Sequence, residues 1–225
     1  MADNFSDHTV DIGGGVTLHY VAAGAGKPLI IIPSWSLTGA AYKHQLSALS
    51  RTRRVIALDM RGHGESSTPE NGYRVSRLAA DLRAVIEALD LPEVDLMGHS
   101  IGSSIIWSYY DLFGGYRLGR MVFVDQAPSV TGKPDWSEAE RLTYGCLLPD
   151  LPALAEFYLD VLAAESAAAT ARVIARLFSP SLPYDELLWF AGEIVKLPRR
   201  HAADLLYNHG SLDWRDVIKT IRLPS

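Results

Sequence analysis

The 225-residue chain has one cysteine, Cys146. An intrachain disulfide is therefore excluded. With no metal-type His/Cys spacing around that residue, neither structural zinc nor a disulfide-stapled secreted fold has support, and a reducing, cytoplasmic compartment is expected. The opening stretch MADNFSDHTV lacks both a basic start and an apolar run, so no signal peptide is expected. Apolar runs such as 29–33 are far too short to span a bilayer. A basic excess is also missing. The 21 Lys and Arg stand against 26 Asp and Glu, a net charge of −5, which offers no footprint for nucleic acid or an anionic membrane. The cluster Arg51, Arg53, Arg54 reads as a solvated turn before a strand. There is no internal repeat, and the only low-complexity tract is Ala167-Ala168-Ala169.

What is present is the composition of a water-soluble globular domain, 48% hydrophobic and 21% charged, long enough for one sizeable core. Short apolar runs alternate with helical segments, the pattern of parallel strands buried on both faces by crossover helices. The expected fold class is α/β, a mostly parallel, doubly wound sheet with an inserted helical lid. Residues 9–12 and 16–22 suggest a hairpin turning at Gly13-Gly14-Gly15, where positive φ is cheap. PLIIIP at 28–33 and RVIALD at 54–59 read as strands with a helical segment, 40–49, between them. Leu78, Leu82, Val85, Ile86 and Leu89 lay one apolar stripe along a helix at 74–89. EVDLM at 93–97 is the next strand. The chain then turns through 98–102 into a helix reaching about residue 113, and RMVFVD at 120–125 is one more strand. From 134 to 208 the strand signal vanishes, and Ala/Leu-rich stretches separated by prolines read as the lid, with ordinary core helices as the alternative. The expected division is a core at 1–133, a lid at 134–208 and a return to the core at 209–225. A last helix is expected at 213–221, and Leu223-Pro224-Ser225 looks like the lead-in to another strand.

Gly98-His99-Ser100-Ile101-Gly102 fits G-x-S-x-G between a strand and a helix, a sharp turn that pushes the serine hydroxyl out above a sheet. Without Cβ atoms at Gly98 and Gly102, strand and helix can approach closely. A serine at a helix N-terminus also sits beside free N–H groups and the positive end of the helix dipole, which favour developing negative charge. The Ile101 N–H is expected to be one oxyanion donor, and the loop Pro33-Ser34-Trp35-Ser36 to supply a second. Such a serine needs an imidazole to take its proton and a carboxylate to orient that imidazole. Asp125, closing the strand after the nucleophile helix at the ligand-binding edge of the sheet, is the candidate acid, with a helix cap or loop anchor as its alternative. Ser34, His99 and Gln126 are candidate substrate contacts. His99, adjacent to Ser100 on an extended turn, is expected to point away from it and not to act as the base.

PLIIIP, then ALDMRGHGES at 57–66, then MGHSIG at 97–102 resemble, in this order and spacing, the α/β-hydrolase superfamily, in particular its esterase, lactonase and cofactor-free haloperoxidase branch. One departure is Pro33-Ser34, where many relatives have His-Gly after the third strand. The resemblance implies that Trp35 supplies the second oxyanion N–H and that the turn holding His63 is structural. It also implies that the acid comes either from Asp125 or, as in most members, from one strand later. The histidine follows the last strand in this superfamily, so it is expected to lie outside this chain, in a longer protein. His201 and His209, in the lid and its return, are the remaining candidates.

The expected activity is hydrolysis of a carboxylic ester or lactone through an acyl-enzyme on Ser100, with no metal and no organic cofactor. The expected partner is a small-molecule substrate, with neither nucleic acid nor membrane. Two alternatives share the fold: a cofactor-free dioxygenase of an N-heteroaromatic ring, which oxygen uptake with a quinolone would reveal, and a ligand-binding pseudo-hydrolase, which would bind without turnover. Trp136, Tyr144, Phe157, Tyr158, Trp189, Phe190 and Tyr207 are expected to be mostly core and suffice to line an apolar pocket of modest size, so the substrate is expected to be an apolar ester or lactone with a medium-sized, largely apolar acyl or alcohol group.

Overall fold

The computed structural model describes residues 5–225, so the first four residues of the expected core lie outside the described residues. Strands β1 (Ser6–Asp11) and β2 (Thr17–Ala23) form the expected antiparallel hairpin. Gly13, Gly14 and Gly15 all have positive φ in its turn. The chain continues through β3 (Pro28–Ile32), α1 (Lys43–Leu49), β4 (Arg54–Leu58), α2 (Val75–Ala88), β5 (Val94–His99), α3 (Ile101–Phe113) and β6 (Leu118–Val124). The sheet order is β1-β2-β4-β3-β5-β6. The four strands from β4 to β6 are parallel, and β2 joins them antiparallel.

Alternation along the buried strands divides two cores. Ile30, Ile32, Ile56 and Leu58 face α2 and α3, while Ile31, Val55 and Ala57 pack with Leu46 of α1 on the other face. This is why β3 and β4 read as unbroken apolar runs: both sides of the pleat are covered. From β3 the chain steps to one neighbour, β4, and then back across to the other, β5. The crossover connections therefore diverge at the carboxyl ends of β3 and β5, and such a switch point opens a crevice in a doubly wound sheet.

After β6 come α4 (Glu138–Thr143), α5 (Leu151–Ala163), α6 (Ala167–Ile174), α7 (Tyr184–Ile194), α8 (Arg199–Gly210) and α9 (Arg215–Thr220). The first three start on capping side chains: Ser137 and Glu140 form a capping box at α4, and Asp150 and Ser166 cap α5 and α6. α8 runs straight through position 208, where the expected lid was to end. Three strands differ in extent from the sequence reading by two residues or more, and the first is β1, which starts at Ser6, three residues earlier than expected. β5 continues two residues past Met97, because Gly98 pairs with both Ile32 and Phe123 and His99 pairs with Val124. β6 starts at Leu118, two residues earlier than expected. On the outer edge of β6, the Met121 N–H donates to the Pro224 carbonyl at 2.9 Å. Among the described residues no helix is long and apolar enough to cross a membrane.

Candidate active site

Residues 94–113 run strand, single-residue turn, helix. Ser100 is that turn, with φ +53° and ψ −122°, a conformation L-residues rarely adopt and keep only when the surroundings enforce it. Enforcement comes from both sides. The Ser100 N–H donates to Val124 O at 2.8 Å, the Ser103 N–H donates to Ser100 O at 2.8 Å, and Ser103 Oγ donates to Gly98 O at 2.8 Å. A Cβ at Gly98 would lie under 3.0 Å from the Gly102 carbonyl, and one at Gly102 would strike Ile32 O. The two glycines thus let α3 begin against the ends of both β5 and β3, which brings Ser100 to the switch point.

A cavity of about 620 Å³ opens there. Its floor carries Ser34 and Trp35 from the loop after β3, His99 and Ser100 from the turn after β5, and Asp125 and Gln126 from the end of β6. The facing wall comes from the helical segment, with Phe157 of α5, Arg176 and Phe178 after α6, Phe190 of α7, and Leu206 and His209 of α8. Ile101 opens α3, so its N–H has no acceptor within the helix. The Trp35 N–H is likewise unused by any protein hydrogen bond among the described residues. The Trp35 indole is occupied differently: its Nε1 donates to Ala202 O of α8 at 2.9 Å, and its ring meets Phe157 edge-on.

Tyr42 ties this loop to the serine turn. Its hydroxyl accepts from the Ser34 N–H at 2.9 Å, and the buried phenol proton has His99 Nδ1, also at 2.9 Å, as the acceptor within reach. That bond leaves Nδ1 bare, and a neutral His99 then carries its proton on Nε2. Burial pushes the His99 pKa down, with the nearby Asp125 carboxylate opposing that shift. Asp125 itself is exposed, has φ +50°, and accepts no side-chain hydrogen bond among the described residues. No imidazole among the described residues hydrogen-bonds Ser100 or Asp125. His201 lies outside the cavity, stacked on Tyr73 with ring centroids 3.8 Å apart. His209 does line the cavity, and burial pushes its pKa down to about 4.

The 57–66 motif is a scaffold beside the cavity. Asp59 accepts from the Gly39 N–H at 2.7 Å, the Glu65 N–H at 3.1 Å and His19 Nδ1 at 2.9 Å, binding the loops after β3 and β4 to β2. Gly64, at φ +52°, has no room for a Cβ against that carboxylate. Arg61 is buried in a two-pronged pair with Asp81 of α2, at 2.7 and 2.8 Å. His63 is buried, with Nδ1 2.8 Å from Arg61 O, and does not reach the cavity.

The expectation that the seven aromatics of 134–208 are mostly core is overturned. Only Phe157 is fully buried, and only Phe157 and Phe190 line the cavity. Of the others, Trp189 and Tyr207 are exposed and the rest half-buried, several beside cations: Arg215 sits over Trp136 and Tyr144, and Lys43 over Trp189. Aromatic faces hold cations well at a wet boundary, so an aromatic ring in an amphipathic helix need not point inward. Tyr42, Cys146 and Arg176 line the cavity without any signal in the sequence, since each reaches it only through tertiary packing.

A family model described as the alpha/beta hydrolase fold matches residues 27–186. The chain belongs to this family. It is 37% identical over 122 residues to the non-heme chloroperoxidase CPO-A1 of Kitasatospora aureofaciens, covering 54% of this chain and 44% of that one. The chain spans about half the length of the curated relatives it matches. Among solved structures it superposes on a bromoperoxidase from Bacillus anthracis with a TM-score of 0.86 at 23% identity, covering 97% of this chain and 79% of that one. An esterase from Exiguobacterium antarcticum gives 0.83 at 21% identity, over 96% and 77%.

Proposed function

We propose that this protein is a serine hydrolase that cleaves a carboxylic ester or lactone through an acyl-enzyme. The observation that carries the reading is the strained Ser100 at the mouth of a helix N-terminus, on the floor of the cavity and beside two unused N–H groups. Ser100 Oγ attacks the substrate carbonyl carbon and its proton passes to an imidazole. The Ile101 and Trp35 N–H groups stabilise the oxyanion, the C–O bond to the alcohol breaks as that proton is returned to it, and water then releases the acid. Asp125 orients the imidazole. Because His201 is stacked away and His209 is a buried imidazole too weak in basicity for work at neutral pH, we assign the base to chain outside residues 1–225. The helices from α4 to α8 act as the lid, and their apolar wall receives the acyl or alcohol group.

The test is hydrolysis of a p-nitrophenyl ester series by the full-length protein. Ser100→Ala is expected to lower kcat about 10⁴-fold or more with little change in KM, and Asp125→Asn to lower it about 10²- to 10⁴-fold. Activity that survives Ser100→Ala would end this reading. That no imidazole among the described residues hydrogen-bonds Ser100 also suits a second reading, a ligand-binding protein without turnover. Saturable binding of an ester by full-length protein, with no product released, would favour it.

A further inference from the structure

The helical wall of the cavity carries one buried group that the proposed chemistry does not use. His209, in the last turn of α8, is only 4% exposed yet lines the same cavity as Ser100. Its Nδ1 is enclosed and hydrogen-bonds to nothing, and among the described residues no hydrogen bond reaches its ring. The enclosed nitrogen is Nδ1 alone, which leaves Nε2 as the one facing the cavity. Phe157 and Leu206 line the same cavity, and neither offers a polar partner. The imidazole has no hydrogen-bond partner among the described residues, so the nitrogen that borders the cavity can be paired only by a molecule bound there.

Burial keeps the imidazole neutral near pH 7, so it holds one N–H and one bare nitrogen. An enclosed N–H with no acceptor is the rarer and costlier arrangement, so the proton belongs on Nε2 and the bare nitrogen is the enclosed Nδ1. We infer that His209 is a specificity-determining residue whose Nε2–H donates to a second oxygen of the substrate. The ester or lactone cleaved here then carries a carbonyl, ether or hydroxyl oxygen remote from the scissile carbonyl, not an all-carbon chain. The inference rests on the proposed hydrolysis for the identity of the substrate, but not for the hydrogen bond itself.

Two measurements on the full-length protein test it. The first compares p-nitrophenyl hexanoate with esters in which one methylene of its acyl chain is replaced by oxygen at successive positions. The native protein is expected to prefer at least one oxygen-bearing ester, and His209→Leu to lose that preference by about tenfold or more, while His209→Gln, which keeps an N–H, retains part of it. Referring each ratio to the variants cancels the intrinsic reactivity of the esters. The second uses ¹⁵N spectra of the imidazole. The proton is expected on Nε2, and its resonance is expected to move with the unreactive amide of the preferred oxygen-bearing chain but not with hexanamide. A proton on Nδ1, equal shifts with both amides, or an unchanged preference in His209→Leu would overturn the inference. If no ester is hydrolysed at all, the proposed function fails, and the spectra still decide on His209 when taken with the amides of the whole oxygen-bearing series, a shift with none of them overturning the inference.

Discussion

The turn that presents Ser100 and the helical wall across the cavity are held by different means. Around Ser100 the constraints are backbone against backbone: Val124 O takes its N–H, and neither Gly98 nor Gly102 has room for a single added carbon. On the wall, Gly192 of α7 has nothing within 4 Å of where a Cβ would sit, and Leu159, Tyr184 and Trp189 are exposed. One side of the cavity therefore places its groups by local chain geometry, while the other places them by side-chain packing that can be re-chosen without rebuilding the sheet. Under the proposed hydrolysis the reacting group belongs to the rigid side and substrate selection to the adaptable side.

That contrast can be broken at several points. The largest effect is expected at Asp81, whose loss leaves Arg61 buried without a carboxylate. Asp81→Ala should cost about 3–5 kcal/mol in urea unfolding. The exposed wall pair Arg200–Asp204 should show the opposite behaviour, with Asp204→Ala costing about 1 kcal/mol or less.

Acid should attack the wall through His209. Its folded pKa is lowered from 6.5 to about 4 by burial, so the fold favours the neutral ring. Stability is then complete above pH 6.5, falls as pH drops toward 4, and levels off below that, a loss on the order of 3 kcal/mol. His209→Leu should flatten the stability profile in this window. A slope that survives the substitution would show that another group titrates there.

Next in size, Gly98→Ala should destabilise by about 1–3 kcal/mol, because the added methyl meets backbone that cannot move aside. Gly192→Ala should instead stabilise by about 0.5–1 kcal/mol by stiffening an exposed helix. Equal effects at the two glycines, measured by thermal unfolding, would erase the distinction between the two sides.

Much of the rigid side was legible in the sequence, and the reason is physical. Strands buried on both faces must be apolar along their length, as PLIII and RVIAL are, and a turn without space must be written in glycine, as at Gly98 and Gly102. Both signals are local. The rest depends on contacts distant in the chain. Tyr42 meets His99 across 57 residues, and the Trp35 indole finds Ala202 across 167. No periodicity announces such partners. The extension of β5 through His99 was missed for a related reason: its pairing there is supplied by Ile32 and by β6, whose own sequence does not mark the register. The outward aromatics of the helical segment were misread because a ring's apolar bulk does not reveal whether an arginine will cover it.

The proposed hydrolysis stands on the Ser100 hydroxyl as nucleophile. The most direct measurement is covalent capture by a fluorophosphonate on the full-length protein, followed by mass mapping of the modified peptide. One adduct is expected, on the peptide that holds Ser100, and none in Ser100→Ala. An unlabelled protein whose esterase activity survives that substitution would contradict it.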